Sequence, residues 1–284
     1  MIPGHLFCFG HGYSARSLTA CLVKKGWIVS ATSRVGVAKS AGGISLSNFN
    51  AVDGGVFEGV THVLVSIPPD TRGDPVLLNY ADIFKKAHHL HWVGYLSTTG
   101  VYGNTDGALV DESTLPNPTN ERSKCRLSAE QSWMDLSLLY GLPVHFFRLA
   151  GIYGPGRNVL EQARAGIAHR IQLPGHKFSR IHVEDITQVL MASISKPTPG
   201  EFYNVCDDEP ASQSDVIAYA SQILGIQPPP LLQFEDAKKY MSPMAQSFWQ
   251  DNRIVDNSKI KRNLGVSLLY PTYREGLKAI FAGK

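Results

Sequence analysis

Along the first half of the chain the spacing of apolar positions switches repeatedly between strand and helix periods. Leu6–Phe9 is a continuous apolar run that reads as a buried strand, and beyond it Leu18, Cys21 and Leu22 share one face at helical spacing. Gly26 stops that helix, placed at about 15–25, and Trp27–Thr32 reads as a second strand. After the break Ala41-Gly42-Gly43 and the short apolar patch Ile44-Ser45-Leu46, the run Thr61–Ile67 predicts another strand, closed by Pro68-Pro69-Asp70. A helix over 76–87, a strand His91–Ser97, a long helix capped by Thr119 or Asn120 and ending near Leu139, and a strand Val144–Leu149 follow. Strands alternating with amphipathic helices predict an α/β fold built on a doubly wound parallel sheet. Beyond Arg157 the alternation is irregular: helices at 159–168, 183–195 and 214–224, short strands near Arg180–His182 and Glu201–Cys206, then Pro228-Pro229-Pro230 and two short helices at 258–264 and 272–281. The chain therefore divides into a lobe over 1–155 and a smaller lobe over 156–284, with 178–196 expected to pack back on the sheet.

Composition narrows the function classes more than it names one. The 284 residues carry a net charge of +3, too small and too scattered for a nucleic-acid surface. No apolar run approaches the roughly 18 residues of a membrane span, and the first residues lack the basic start of a signal peptide. The cysteines 8, 21, 125 and 206 are far apart and mostly in apolar surroundings, which fits reduced thiols in a cytoplasmic protein. His88, His89 and His91 have no Cys or carboxylate cluster beside them, so no metal site is expected.

The chemistry concentrates at Gly10-His11-Gly12-Tyr13-Ser14-Ala15, between the first strand and the first helix. In a dinucleotide site the first glycine permits the tight turn, the second admits a pyrophosphate, and a small third residue lets the helix pack closely. The helix start at Tyr13 and Ser14 then offers free N–H groups to phosphates. The competing reading is a glycine turn that binds nothing. About 20 residues past the glycines, where NAD sites hold a carboxylate, the chain has Thr32-Ser33-Arg34. A guanidinium and hydroxyls suit a 2′-phosphate, so NADP is the expected cofactor, with NAD as the alternative.

Five segments in order resemble the NAD-dependent epimerase/dehydratase group of extended short-chain dehydrogenases/reductases, of which the chain looks like an atypical member. They are the glycine turn, Ser97-Thr98-Thr99-Gly100-Val101-Tyr102-Gly103, Arg148–Arg157, Arg180–Ile186 and Phe202–Val205. The resemblance implies a Rossmann-like dinucleotide lobe and a smaller C-terminal substrate lobe, acting as an oxidoreductase or epimerase on a small molecule such as a sugar or nucleotide sugar. It implies Ser66, Ile67, Pro68, Ser97, Gly151 and Ile152 beside the cofactor. Thr99, Gly100, Tyr153, Arg157 and Arg180 are implied beside the substrate. Thr98 falls at the family's catalytic Ser/Thr, and Lys124 at its active-site lysine, which also holds the nicotinamide ribose. The family's partner tyrosine lies four residues before the lysine, and here that place is Asn120. An amide is neither acid nor base near neutral pH. Tyr102 is the substitute proton donor considered, Glu121 a weaker one, and His182 and Asp185 are read as orienting and capping groups. A non-catalytic NADP(H)-sensing protein is the competing function, and monomer and homodimer are both open.

Overall fold

The computed structural model describes residues 2–33, 43–52 and 54–283. Strand β1 (His5–Phe9) leads through the glycine turn into helix α1 (Tyr13–Lys24), and β2 (Ile28–Ser33), β3 (Ile44–Asn48) and β4 (His62–Val65) follow. Helix α2 (Pro75–Phe84), β5 (Trp92–Thr98), the short β6 (Leu109–Val110), α3 (Glu121–Tyr140) and β7 (Val144–Leu149) complete the first half. In the second half come β8 (Gly151–Tyr153), α4 (Val159–Arg164), β9 (Arg170–Gln172), β10 (Arg180–His182), α5 (Val183–Ser195) and β11 (Phe202–Val205). The remainder is α6 (Gln213–Leu224), β12 (Leu231–Gln233), α7 (Phe234–Ala237), α8 (Pro243–Gln250), β13 (Ile254–Val255), α9 (Ser258–Leu264) and α10 (Tyr273–Phe281).

Seven strands form one sheet in the order β11-β7-β5-β4-β1-β2-β3, every pair parallel. The chain runs outward from β1 to β3, then returns to β4 on the other side of β1. That reversal leaves a crevice at the carboxyl ends of β1 and β4, where ligands bind in open α/β sheets. Both faces of the sheet are covered, so strands such as β1 and β4 read as near-continuous apolar runs rather than alternating. Leu6 and Cys8 face α1 and α5 with Leu18, Val189 and Leu190. Phe7 and Phe9 face the other layer with Phe84 of α2 and Trp133 of α3. The Trp92 indole donates to Ser193 Oγ at 3.0 Å inside this core, fastening β5 to α5.

A second, smaller cluster of Tyr153, Leu160, Val216, Tyr273 and Leu277 ties α4, α6 and α10 together beside the sheet. The structure departs from the expected elements mainly here. Helix α4 ends at Arg164 rather than near Ala168, because Gly166 takes a positive φ of 68°. After the three prolines the chain forms β12, α7 and α8 where no element was expected. Ser242 caps α8 by accepting from Ala245 N, and Pro243 stands in its first turn, a helix start with a clear sequence signature. Among the described residues no helix is long and apolar enough to cross a membrane.

Candidate active site

The turn between β1 and α1 is built by its glycines and braced by hydroxyls. Gly10 has φ of +90°, and its N–H donates to Thr32 Oγ1 at 2.9 Å. Ser66 Oγ donates to the Gly10 carbonyl at 3.0 Å, which joins the end of β4 to the turn. Gly12 is the N-cap of α1, with φ of −83° and no side-chain cap. A Cβ built on Gly12 would meet nothing within 4 Å. The first-turn N–H groups of a helix have no intrahelical acceptors, and α1 carries no acid in that turn. An open, uncapped, acid-free helix N-terminus fits the pyrophosphate of a dinucleotide.

From this turn a cleft of about 1280 Å³ runs past the ends of β5 and β7 to the smaller lobe. Its lining includes Gly12, Tyr13, Ser14, Ala15, Ser66, Ser97, Thr98, Thr99, Gly100, Gly151, Ile152, Tyr153, Arg157 and Arg180, so most of the residues singled out in the sequence come together. Thr98 Oγ1 caps the short turn that follows β5, accepting from Gly100 N at 3.1 Å. Tyr13 hydroxyl donates to the Pro155 carbonyl at 2.9 Å, closing the cleft between the α1 start and the β8 loop. Arg180, half-buried in the cleft lining, donates to the carbonyls of Phe178 and Ala211 at 2.8 and 2.9 Å. Beside it, burial pushes the Asp207 carboxyl up to about 8, against the opposing pull of Arg180. His182 is buried and its ring pKa is lowered to about 4 by desolvation. It accepts from Glu184 N at the start of α5, while Asp185 accepts from Leu269 N and Tyr270 N.

Not every expected residue reaches the cleft. Gly10 shapes the turn from behind, and Ile67 and Pro68 lie outside the lining. Ser33 ends β2 half-buried, and Arg34 lies outside the described residues. Tyr102, considered as a proton donor, is 1% exposed and lies outside the cleft lining. Its hydroxyl donates to Asn204 Oδ1 at 2.8 Å and accepts from Arg148 at 3.0 Å. Burial also raises its pKa, against the pull of Arg148.

Lys124, expected beside the nicotinamide, is exposed on α3 and pairs with Glu121 at 2.9 Å, outside the cleft lining. Asn120 does line the cleft, but as the N-cap of α3, its Oδ1 accepting from Ser123 N at 3.0 Å. The residues four apart on α3 that both line the cleft are Arg122 and Arg126. At about 100° per residue, Lys124 lies some 200° around the helix from Arg122. Arg126 donates to Leu96 O at 2.8 Å and to Tyr95 hydroxyl at 3.2 Å. A signal for this pair was present: Arg122, Arg126, Ala129, Trp133 and Leu136 follow one another at helical spacing, and the last three are buried against the sheet. With Asn120 in a capping role, Asn120→Ala is expected to cost about 1 kcal/mol of stability. Urea denaturation checks this, and an unchanged midpoint would count against the cap.

Part of the remaining cleft wall comes from α8 and the loop after it, through Met244, Phe248, Trp249, Asp251 and Arg253, and the rest from α4, α6, α10 and the residues before β10. Among the described residues no group of three or more His, Cys, Asp and Glu side chains is placed to hold a metal ion.

A seven-stranded parallel sheet with helices on both faces, and a glycine turn opening on its switch-point crevice, defines a Rossmann-like α/β protein. Residues 67–206 match the model of the NAD dependent epimerase/dehydratase family. A solved structure from Silicibacter pomeroyi DSS, described as a functionally unknown conserved protein, is 48% identical with a TM-score of 0.90, covering 99% of each chain. Bacillus anthracis dTDP-glucose 4,6-dehydratase, solved in complex with NAD, shares the fold at 17% identity and TM-score 0.79, covering 99% of this chain and 96% of that one. Protein YeeZ of Escherichia coli (strain K12) is 28% identical over 185 residues, 65% of this chain and 61% of that protein. The chain thus spans about three-fifths of the length of the first curated relatives it matches. Residues 67–206 thus carry a NAD dependent epimerase/dehydratase family domain.

Proposed function

We propose that the cleft binds a nicotinamide dinucleotide, NADP(H) in preference to NAD(H), and that the protein is an oxidoreductase acting on a small molecule such as a sugar or nucleotide sugar. The observation that carries this reading is the open, uncapped N-terminus of α1 behind Gly12, aimed into a cleft that continues past Thr98 to the smaller lobe. A bound nicotinamide exchanges hydride with a carbonyl or alcohol carbon. The protein's own part is to align the two carbons and exclude water. In this reading Gly12, Tyr13, Ser14 and Ala15 hold the pyrophosphate, Thr98 hydrogen-bonds the reacting oxygen, and Arg157 and Arg180 face the substrate. Ser33-Arg34 and the lack of a carboxylate there support NADP. The free cysteines fit a reducing, cytoplasmic setting.

If Arg34 pairs with the 2′-phosphate, Arg34→Ala costs about 1.5–3 kcal/mol for NADP(H), about ten- to hundredfold in affinity. NAD(H) affinity is expected to stay within about twofold, less than 0.5 kcal/mol. Titrating wild type and variant with both cofactors checks this, and an equal loss for both overturns the preference.

One observation favours a second reading, a non-catalytic NADP(H)-binding sensor. The cleft-facing pair on α3 consists of two arginines, which stay protonated and cannot relay a proton. Oxidation of NADPH across a panel of reactive carbonyls supports the enzyme. Tight binding with no turnover supports the sensor.

A further inference from the structure

We propose that Arg122 and Arg126, with Arg157 across the cleft, form an oxyanion-binding site, so that the small molecule taken at this end of the cleft carries a carboxylate or phosphate. The inference rests on the dinucleotide reading above for what fills the opposite end, at α1. All three arginines line the same cleft, and none forms an ion pair among the described residues. Arg148 shows how this fold treats an arginine with a purely structural role: it is buried and paired with Glu130 at 2.7 Å. Among the described residues Arg122 packs against the face of Phe248, 5.6 Å from its guanidinium carbon, and Arg157 against the face of Tyr13 at 5.8 Å. Aromatic faces orient a guanidinium and leave its N–H edge free to bind. Arg126 is held in place by Leu96 O and Tyr95 hydroxyl.

The acids nearby are already engaged. Glu161 accepts from Gly156 N and Asn158 Nδ2, and Asp251 pairs with Arg253 and Thr119. Asp74, whose carboxyl feels Arg126, caps α2 through Oδ1, accepting from Val76 N and Leu77 N, while its buried Oδ2 has no hydrogen-bond partner among the described residues. Placement on the helix sharpens the imbalance. Arg122 is the second residue of α3, at the positive end of the helix dipole, where a cation is unfavourable unless an anion sits against it. Desolvation and the charges of Arg126 and Arg157 also weaken the Arg122 guanidinium's hold on its proton. A planar or tetrahedral oxyanion relieves all of these at once, by forked charge-assisted hydrogen bonds.

The test uses inorganic phosphate and malonate as probes, titrated calorimetrically at constant ionic strength into protein first saturated with NADPH. NADPH binding is followed separately by its fluorescence. Wild type is expected to bind one equivalent of probe. Arg122→Ala should weaken it by about tenfold or more, and Arg122→Lys by less. Lys124→Ala, outside the cleft, should match wild type. Tighter phosphate points to a phosphorylated substrate and tighter malonate to a carboxylic acid, and either supports the site. No saturable binding by wild type, or an Arg122→Ala titration equal to wild type, overturns it. Failure of NADPH to bind strikes the dinucleotide reading alone, and the probe titrations of the free protein then still decide the arginine site.

Discussion

Replacing Gly12 by valine is expected to abolish dinucleotide binding, with affinity falling by about a hundredfold or more (at least about 2.7 kcal/mol), while the fold stays intact. The backbone at Gly12 has φ of −83° and ψ of −167°, an extended conformation that valine adopts readily. A Cβ there meets no protein atom within 4 Å, so a side chain starts into the open space over the α1 N-terminus. In this reading the pyrophosphate approaches the backbone through that space. Gly10 is the contrasting case. At its positive φ a Cβ would stand 2.9 Å from both Ile67 Cγ1 and Ser66 Oγ, so Gly10→Ala should lower stability. Thermal melts together with NADPH fluorescence titration separate the two glycines. A Gly12→Val protein that binds NADPH as wild type does would place the dinucleotide elsewhere.

Glu130→Ala is expected to be the most destabilising of these substitutions, by about 3–5 kcal/mol, because it leaves a buried guanidinium without its partner. Glu130 on α3 and Arg148 on β7 are 2% and 5% exposed at their side chains, and their bond is bidentate at 2.7 and 3.1 Å. Ser97 donates to Glu130, Arg148 also donates to Tyr102, and Tyr102 donates to Asn204 of β11. The network therefore joins three neighbouring strands to α3 directly beneath Thr98. In a low-dielectric interior, removing one member exposes the full desolvation penalty of the rest. Urea denaturation measures the loss. A change below about 1 kcal/mol would mean that water reaches Arg148 when Glu130 is gone. Replacing both charges together, as Glu130→Leu with Arg148→Met, should recover much of the loss.

Local sequence determined the framework of this protein. Strand runs such as Leu6–Phe9 are legible because a parallel strand covered on both faces reads as a near-continuous apolar run, and Val144–Leu149 keeps that pattern apart from His145 and Arg148. The glycine turn is legible because Gly10 needs a positive φ, and that requirement is local. Asn120 as a helix cap is legible for the same reason, since its acceptor meets a backbone N–H three residues on.

What the tertiary structure decided is which side of each element meets the cleft. The rotation of α3 about its axis is set by Ala129, Trp133 and Leu136 packing on the sheet. That packing turns Arg122 and Arg126 inward and leaves Lys124 on the outside with Glu121. Counting four residues back from Lys124 identifies one face of a helix without saying where that face points. Tyr102 belongs to the same class of decision. The short turn after β5 carries its hydroxyl down to Arg148 and Asn204, residues more than forty positions away in sequence. Likewise α8 meets the cleft through Phe248 and Trp249, which brings together segments distant in sequence that no local period encodes.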